Sequence, residues 1–306
     1  MLKALSSTDA RNQAFVHLAL GTVIDHYVIE RPLADGGFSA VYLARHLVDQ
    51  TQVAVKEYLP RKLAYRNWEG QVVPHSEDTR SLFLRGRRLF VEEARMLATL
   101  KHPNIVEVTS FFHANDTVYM VMTYDYGKSL GWYMKRQPKR LDGAFFLAVI
   151  GKLLQALAAI HRHGFLHLDL KPENILIRPG NDPLLLDFGA AQPYPKSKDN
   201  WKRPGKIRTP GFSPPEQYRS DWPLGPWSDL YGLGATLRTC LDRRLPPLAT
   251  DRLERDTLKP VRRLYRNQYP EGLLEAIDRA MQLDPANRPQ SVAEFESLLT
   301  DKGIVS

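Results

Sequence analysis

The stretch of sequence that decides the fold reads His167-Leu168-Asp169-Leu170-Lys171-Pro172-Glu173-Asn174, and it is followed by Leu184-Leu185-Leu186-Asp187-Phe188-Gly189. Two aspartates and an asparagine thus lie in tight loops between short apolar runs. Phosphoryl transfer needs such a set, because oxygen ligands hold magnesium against the phosphates and a carboxylate orients the attacking hydroxyl. A single aspartate in a loop usually caps a helix or is solvated, but the joint spacing of these residues makes chance a poor explanation.

Two features closer to the N-terminus fit the same chemistry. The segment Leu33–Tyr42 places Gly36 and Gly37 between two strand-like runs, so backbone amides can approach a polyphosphate, although most such turns bind nothing. Lys56 ends the apolar run Val53–Val55 and is expected to point into a cleft. A buried ammonium needs an anionic partner, and Glu93 is a suitable one; the alternative is an ordinary surface lysine.

The order of predicted elements indicates a sheet-rich part followed by a helix-rich part. Short β-branched and aromatic runs predict strands between Tyr27 and Lys56, and further strands at 105–112 and 117–123. A helical period predicts a helix over 87–100. Longer helical patterns follow at 142–163, 227–242, 271–282 and 291–300. This order favours two lobes with a ligand cleft between them.

These motifs resemble the protein-kinase superfamily, in particular the bacterial Ser/Thr kinases of eukaryotic type, from about Tyr27 to about Leu299. The resemblance implies an α+β, bilobal fold with a small antiparallel N-lobe sheet, one main N-lobe helix and a larger, mostly helical C-lobe. The expected divisions are a lead-in at 1–20, the N-lobe at 21–122 with an insertion at about 58–88, a hinge at 123–127 and the C-lobe at 128–306.

The resemblance also implies roles for the residues of the catalytic motifs. Asp169 matches the catalytic base, and Lys171 matches the residue that neutralises the transferring phosphate and favours Ser/Thr over Tyr. Thr209 falls where Ser/Thr kinases have a threonine that contacts both. Lys56 is expected to pair with Glu93 and with the α- and β-phosphates.

ATP with Mg²⁺, or alternatively Mn²⁺, is the implied cofactor set, and Asn174 and Asp187 match the metal ligands. The residues expected to hold the nucleotide are Leu33, Gly36, Gly37, Phe38, Val41, Ala54, Lys56, Met122, Thr123, Asp125, Asn174 and Leu176. Met122 falls at the position that gates the back pocket. Thr123–Asp125 is the expected hinge that receives adenine through backbone hydrogen bonds.

Several further matches are expected to be structural. His102–Val106 matches the turn after the regulatory helix, and Pro214-Pro215-Glu216 stands in for an Ala-Pro-Glu motif. Glu216 is expected to pair with Arg288. Asp229 is expected to brace the catalytic loop from below.

Three departures from the family pattern carry expectations of their own. Ala34 and Ser39 replace glycines of the phosphate-covering loop, so weaker or slower ATP binding is expected. Leu168 replaces the arginine that often reads a phosphate on the activation segment, and a leucine cannot pair with a phosphate. We therefore expect activity that does not depend on this switch, although a phosphate at Ser197 could find basic partners within 190–213.

The long connection between Lys56 and Glu93 is the third departure. A long loop in a compact domain is usually functional or disordered. The segment 58–88 is therefore either a docking surface or added hairpin over the regulatory helix, or a disordered insertion.

The composition excludes several classes. Of 306 residues, 43% are hydrophobic and 25% are charged, which is typical of a soluble globular protein. The most apolar stretch, Phe145–Ile160, is interrupted by Lys152 and is predicted to be a buried helix, so no membrane span is expected. The first twenty residues lack the apolar run of a secretory signal. A single cysteine, Cys240, fits a reducing cytoplasm.

The net charge of +8 is compatible with phosphate-bearing ligands, anionic lipid or nucleic acid, and equally with a modest excess of basic residues. The densest basic clusters are Arg85 to Arg88, Lys196 to Arg208 and Arg262-Arg263. No aromatic residues are interleaved with them in a nucleic-acid-binding motif, so no nucleic-acid partner is expected. The nine histidines show no metal-binding spacing, which argues against a zinc site.

The leading interpretation is a Ser/Thr protein kinase that acts on protein hydroxyls and also on itself. One alternative is a pseudokinase scaffold, which the presence of the full catalytic set disfavours; another is a kinase of small molecules, which Thr209 and the Glu216–Arg288 pair disfavour. Regulation is expected from the insertion, the first twenty residues, or a separate regulatory protein or phosphatase.

Overall fold

The computed structural model describes residues 17–194, 208–219 and 221–300. The chain divides into two units. One comprises the described residues up to Lys101 together with Val106–Asp125, and the other comprises His102–Ile105 and the described residues from Tyr126 onward.

An antiparallel sheet with one long helix makes up the first unit. In chain order its elements are β1 (Val23–Ile24), β2 (Tyr27–Asp35), β3 (Ser39–His46), β4 (Gln52–Tyr58), β5 (Ala64–Arg66), β6 (Val72–Pro74), α1 (Glu77–Thr99), β7 (Val108–Ala114) and β8 (Thr117–Thr123). The six-stranded sheet has the order β1-β2-β3-β4-β8-β7. Asn115 and Asp116 form the turn between β7 and β8, and both residues have positive φ (50° and 58°), as a two-residue hairpin turn requires.

The segment between Lys56 and Glu93 contains regular structure. β5 and β6 pair as an antiparallel hairpin, and the next residues open α1. The helix predicted over 87–100 was placed too late, because α1 begins at Glu77. Its true start is set by the cap at Ser76, whose hydroxyl accepts from the Thr79 amide (3.4 Å). Arginines interrupt the apolar period over 80–88 and hide this start from a periodicity argument.

The second unit is mainly helical. In chain order its elements are β9 (Lys128–Ser129), α2 (Leu130–Arg136), α3 (Gly143–Arg162), β10 (Phe165–Leu166), β11 (Ile175–Arg178), β12 (Asp182–Leu185), β13 (Gln192–Pro193), α4 (Pro215–Tyr218), α5 (Pro226–Asp242), α6 (Ala249–Glu254), α7 (Val261–Tyr265), α8 (Glu271–Ala280) and α9 (Val292–Thr300). The four predicted helices of this region are confirmed. The strand expected from Ile105 instead begins at Val108, because Ile105 bridges to Leu185 in the second unit.

The helix α3 lies in the core of this unit. Asp142 caps it by accepting from the Phe145 amide (2.8 Å), and Gly164, with φ of 74°, follows its end. Among the described residues, α3 is the one helix long and apolar enough to span a membrane, and 56% of its most apolar window is buried inside the protein. The predicted role of Phe145–Ile160 as a buried helix agrees with this burial.

Candidate active site

A buried ion pair in the first unit joins β4 to α1. The Lys56 ammonium donates to Glu93 Oε1 at 2.9 Å, and the two side chains are 8% and 9% exposed. The ammonium also lies 5.6 Å from the centroid of the Phe90 ring. Glu93 thus supplies the partner that a buried Lys56 needs, and the long intervening segment does not prevent the pairing.

The glycine-containing turn connects β2 to β3. The Gly36 amide donates to the Ser39 carbonyl (2.9 Å), while a Cβ built on Gly37 would meet nothing within 4 Å. The residues that follow β4 fix the position of this turn. Leu59 donates its backbone amide to the Phe38 carbonyl (3.0 Å), and Arg61 donates its backbone amide to the Gly37 carbonyl (3.1 Å). The open space at Gly37 is compatible with a close approach of phosphate oxygens.

Other predicted nucleotide residues of the first unit lie on neighbouring strands. Val41 is opposite Lys56 in the β3–β4 pair, and Ala54 is opposite Met122 in the β4–β8 pair. Leu33 lies in β2, and Asp125 follows β8. The amide of Thr123 donates to the Glu107 carbonyl (3.0 Å), so this particular hinge amide is engaged within the protein.

Asp169 is the centre of a hydrogen-bonded cluster in the second unit. Its carboxylate is 6% exposed and accepts from Lys171 Nζ (2.6 Å), Asn174 Nδ2 (2.9 Å) and Thr209 Oγ1 (2.5 Å). Three of these residues come from one loop, between β10 and β11, while Thr209 comes from beyond β13. The carboxylate is thus held in place with its charge balanced by one lysine.

A fully buried carboxylate, Asp229 at the start of α5, holds the backbone of the same loop. It accepts from the amides of His167 (2.9 Å) and Leu168 (2.7 Å), and it pairs with His161 Nε2 (2.8 Å). Burial by itself would raise the pKa of Asp229, but the hydrogen bond and charge of His161, with the Leu168 amide, lower it below its ordinary value. The expected brace under the catalytic loop is present, and Leu168 adopts a left-handed conformation there (φ 62°).

Asp187 follows β12 and is brought beside the same loop. The amide of Leu186 donates to the Asn174 carbonyl (2.8 Å), and Asp187 itself has a φ of 54°. The Phe188 ring lies 4.6 Å from the His167 ring. Burial lowers the pKa of His167 below its ordinary value, and this effect outweighs the opposing effect of the neighbouring carboxylates, of which Asp229 contributes most.

The two predicted metal ligands carry donor atoms that suit a hard cation. The amide oxygen of Asn174 and the carboxylate of Asp187 are the oxygen ligands that magnesium accepts, with the remaining positions left to water and phosphates. Within the part of the chain that the structure describes, no group of three or more His, Cys, Asp or Glu side chains could hold a metal. Leu176, a predicted nucleotide contact, lies in β11 opposite Leu184.

The residue beside Asp169 has apolar surroundings. Leu168 is 5% exposed and belongs to a cluster with Leu166, Ala190 and Leu224, against which Tyr194 packs. This cluster joins the catalytic loop to both flanks of the segment 190–213. Ser197 and most of the basic cluster 196–208 lie outside the described residues, as do the first sixteen residues.

A buried bidentate ion pair joins Glu216 of α4 to Arg288. Arg288 donates to both oxygens of Glu216 (2.6 and 3.1 Å), and both side chains are fully buried. Ser228 also donates to Glu216 (2.8 Å). The predicted Glu216–Arg288 pair therefore forms.

Two contacts that hold the loop around Asp169 were not predicted from the sequence. Gln217 donates its side-chain amide to the Leu168 carbonyl (3.0 Å), and His161 pairs with the Asp229 carboxylate that holds the loop (2.8 Å). The signal available for His161 was its place in the last turn of α3, close before the loop. No local pattern marks Gln217.

Comparison with known proteins identifies the family. The family model for the protein kinase domain matches residues 27–299, so the chain belongs to the protein kinase family. The resemblance stated from the sequence is thereby confirmed, as is the predicted α+β kinase fold. A solved structure, the apo form of PpkA-294, matches with a TM-score of 0.83 and 33% identity, covering 93% of this chain and all of that one.

Three relatives from bacteria illustrate the similarity. The chain is 30% identical over 295 residues to the serine/threonine-protein kinase pkn3 of Myxococcus xanthus, with 91% of this chain and 50% of the relative covered. It is 29% identical to PknD of Chlamydia abortus (90% and 30% covered) and 35% identical over 221 residues to PknK of Mycobacterium tuberculosis (69% and 20% covered). The chain thus spans half or less of the length of these relatives.

Proposed function

We propose that this chain is a Ser/Thr protein kinase that transfers the γ-phosphoryl group of ATP to hydroxyls of protein substrates and of itself. The observation that carries the proposal is the cluster around Asp169, where Lys171, Asn174 and Thr209 all contact one carboxylate. A buried carboxylate that needs only to be held for structure would not require a partly exposed lysine (22% exposed) beside it. Positioned acid–base and charge-neutralising groups are what phosphoryl transfer requires.

In the proposed reaction, the hydroxyl oxygen of a substrate Ser or Thr attacks the γ-phosphorus. A new oxygen–phosphorus bond forms while the bond to the bridging oxygen breaks, and ADP leaves with that electron pair. Asp169 orients the hydroxyl and accepts its proton, and the Lys171 ammonium balances charge on the transferring group. Magnesium or manganese, when held by Asn174 and Asp187, would neutralise the phosphates.

Lys56 would hold the α- and β-phosphates, with Glu93 fixing its ammonium in place. The remaining proposed nucleotide contacts are Leu33, Gly36, Gly37, Phe38, Val41, Ala54, Met122, Thr123, Asp125 and Leu176. The engaged amide of Thr123 leaves the adenine to other backbone groups of the hinge. A cytoplasmic location is part of the proposal, because ATP is the proposed phosphate donor and the single, buried Cys240 fits a reducing compartment.

Activity is proposed to be independent of a phosphate on the activation segment. An arginine at this position would need a phosphate to bind, whereas Leu168 belongs to an apolar cluster with Leu166, Ala190 and Leu224. Apolar contact therefore replaces charge pairing as the link between the catalytic loop and the flanks of this segment. A pseudokinase scaffold would have no use for the lysine and threonine on Asp169.

The test is transfer of labelled phosphate to a generic basic protein in the presence of magnesium. Labelled Ser or Thr in the wild type, lost in Asp187→Ala, supports the proposal. Asp221→Asn is the matched control, because Asp221 is an exposed aspartate (61%) that pairs with Arg219 on the surface. ATP binding without transfer by the wild type would identify a scaffold, and labelling of small molecules alone would identify the other alternative.

A further inference from the structure

Two residues on one face of β4 contact α1 at different points along the helix axis. Lys56 and Tyr58 are two residues apart in a strand and therefore project to the same face. Lys56 pairs with Glu93, while Tyr58, which is 5% exposed, packs its ring against Phe83 (5.5 Å between centroids) and Phe90 (5.8 Å) of the same helix. The helix is thus anchored to the strand at two points.

The second anchor depends on a glycine within α1. A Cβ built on Gly86 would lie 2.0 Å from the hydroxyl oxygen of Tyr58 and 2.9 Å from its Cζ. The backbone of Gly86 has no positive φ, so the conformation does not require glycine. Glycine in a helix interior is less favourable than alanine, so its presence needs another reason. The close approach of the Tyr58 ring is the physical reason that a glycine suits this position.

The two anchors lie on one face of the helix. Gly86, Phe90 and Glu93 are separated by four and three residues, the spacing that aligns side chains along a helix. The Phe90 ring contributes to both anchors, since it packs on Tyr58 and lies 5.6 Å from the Lys56 ammonium. Glu93 is about 10 Å along the axis from Gly86, a span of two rigid turns. A displacement at Gly86 therefore moves Glu93.

The strand cannot absorb such a displacement, because the opposite face of β4 is also fixed. Glu57 is fully buried and accepts hydrogen bonds from Tyr42 (3.0 Å) and Tyr119 (2.5 Å) of the neighbouring strands. Arg66 of the β5–β6 hairpin forms a buried ion pair with the same carboxylate. The ring of Tyr58 is enclosed by Phe83 and Phe90, so the helix must move instead.

We propose that Gly86 is a positioning residue for phosphoryl transfer. Because Gly86 has no side chain, the Tyr58 ring can pack directly on α1, and this packing fixes the helix where Glu93 can form its ion pair with Lys56. The inference rests on the proposed function, in which Lys56 holds the phosphates of ATP. It assigns to the segment between β4 and Glu93 a role within the chain itself, independent of any docking partner.

The experiment uses the full chain and four single variants: Gly86→Ala, Tyr58→Phe, Glu93→Gln and Gly151→Ala. Gly151 is the matched control, because it lies inside α3 and its Cβ would meet nothing within 4 Å. Thermal unfolding and circular dichroism are measured first, so that kinetics are compared at a temperature where all variants are folded. The readouts are KM for ATP, kcat, and the Kd of ATP by equilibrium dialysis.

Gly86→Ala is expected to raise the KM and Kd for ATP about tenfold, while Gly151→Ala leaves both unchanged. Adding Tyr58→Phe, which removes the atom at 2.0 Å, is expected to recover most of the loss. In the Glu93→Gln background, Gly86→Ala is expected to have no further effect on KM, because the pair through which it acts is already broken. A merely structural role would give additive losses in that background.

The inference is overturned if folded Gly86→Ala binds ATP like the wild type, or if its effect on KM adds fully to that of Glu93→Gln. If Gly86→Ala does not fold, the Tyr58→Phe/Gly86→Ala double variant is compared with Tyr58→Phe. A folded double variant whose Kd for ATP stays within about threefold of that of Tyr58→Phe supports the clash with Tyr58, and a larger loss or a failure to fold overturns the inference. Failure of the wild type to transfer phosphate rejects the proposed function alone, since the Kd comparison still decides the positioning role.

Discussion

The replacement Asp229→Asn tests how the catalytic loop is held, because the two side chains have the same shape but differ in charge and in one acceptor. Asp229 accepts from the Leu168 amide on Oδ1, and from His161 and the His167 amide on Oδ2. Asparagine keeps one oxygen and places an N–H donor at the other position. The orientation that retains two acceptor contacts leaves the buried Leu168 amide facing a donor.

The size of the effect follows from these contacts. A buried amide without a partner costs about 1–3 kcal/mol. Leu168 also has a φ of 62°, and a left-handed non-glycine residue costs on the order of 1–3 kcal/mol unless its surroundings hold it. We expect Leu168 to relax and to displace the adjacent Asp169. A loss of about 1.4–2.8 kcal/mol of transition-state stabilisation lowers kcat roughly 10- to 100-fold.

The assay is the initial rate of labelled phosphate transfer at saturating ATP and protein substrate. Asp221→Asn serves as the control, with an expected kcat within about twofold of the wild type, since exposed ion pairs contribute little. A kcat for Asp229→Asn equal to that of the control would refute the argument that Asp229 positions the loop.

The same variant has a predictable pH dependence. Burial raises the pKa of Asp229, but His161 and the Leu168 amide bring it below its ordinary value, so the native pKa lies under the unfolded one of about 4. The carboxylate therefore stabilises the fold above pH of about 4, and this contribution is lost as the pH falls through the native pKa. The free energy of unfolding should decline more steeply on acidification in the wild type than in Asp229→Asn. If the curves of unfolding free energy against pH were parallel for the two proteins, the lowered pKa assigned to Asp229 would be contradicted.

Two further predictions concern the activation segment and the buried ion pair. Because Leu168 lies in an apolar cluster and a leucine cannot pair with a phosphate, phosphatase treatment of the purified protein should leave turnover unchanged, and a large loss of turnover would reject this. Glu216→Gln leaves the Arg288 guanidinium buried without a counter-charge and should lower the free energy of unfolding by about 3–5 kcal/mol in denaturant titrations. The exposed control Glu77→Gln (84% exposed) should change it by less than about 1 kcal/mol; equal effects of the two variants would show that the buried pair is dispensable.

The parts of the site that the sequence predicts are those with local signals. Asp169, Lys171 and Asn174 share one short loop, so their spacing alone brings them together. Lys56 ends an apolar strand and Glu93 lies on a helical face, which made their pairing a reasonable expectation across a long intervening segment. Each of these predictions used one strand, one helix or one loop at a time.

The parts that escaped prediction depend on packing between distant segments. The start of α1 is set by the Ser76 cap, and its first turns carry arginines that obscure the apolar period. The Gln217 contact to the Leu168 carbonyl spans 49 residues of chain, and the Tyr58–Gly86 contact needs the exact height of a helix on a sheet. No composition or periodicity encodes such distances, because they follow from the packing of whole elements.

The most direct test of the central claim is made on Asp169→Asn, by measuring ATP binding and phosphoryl transfer in the same preparation. If Asp169 takes the proton of the substrate hydroxyl, transfer should fall by about 10²- to 10⁴-fold while the Kd for ATP stays near the wild-type value. Transfer at the wild-type rate by this variant would contradict the account, because the cluster of Lys171, Asn174 and Thr209 would then surround a carboxylate without a chemical role.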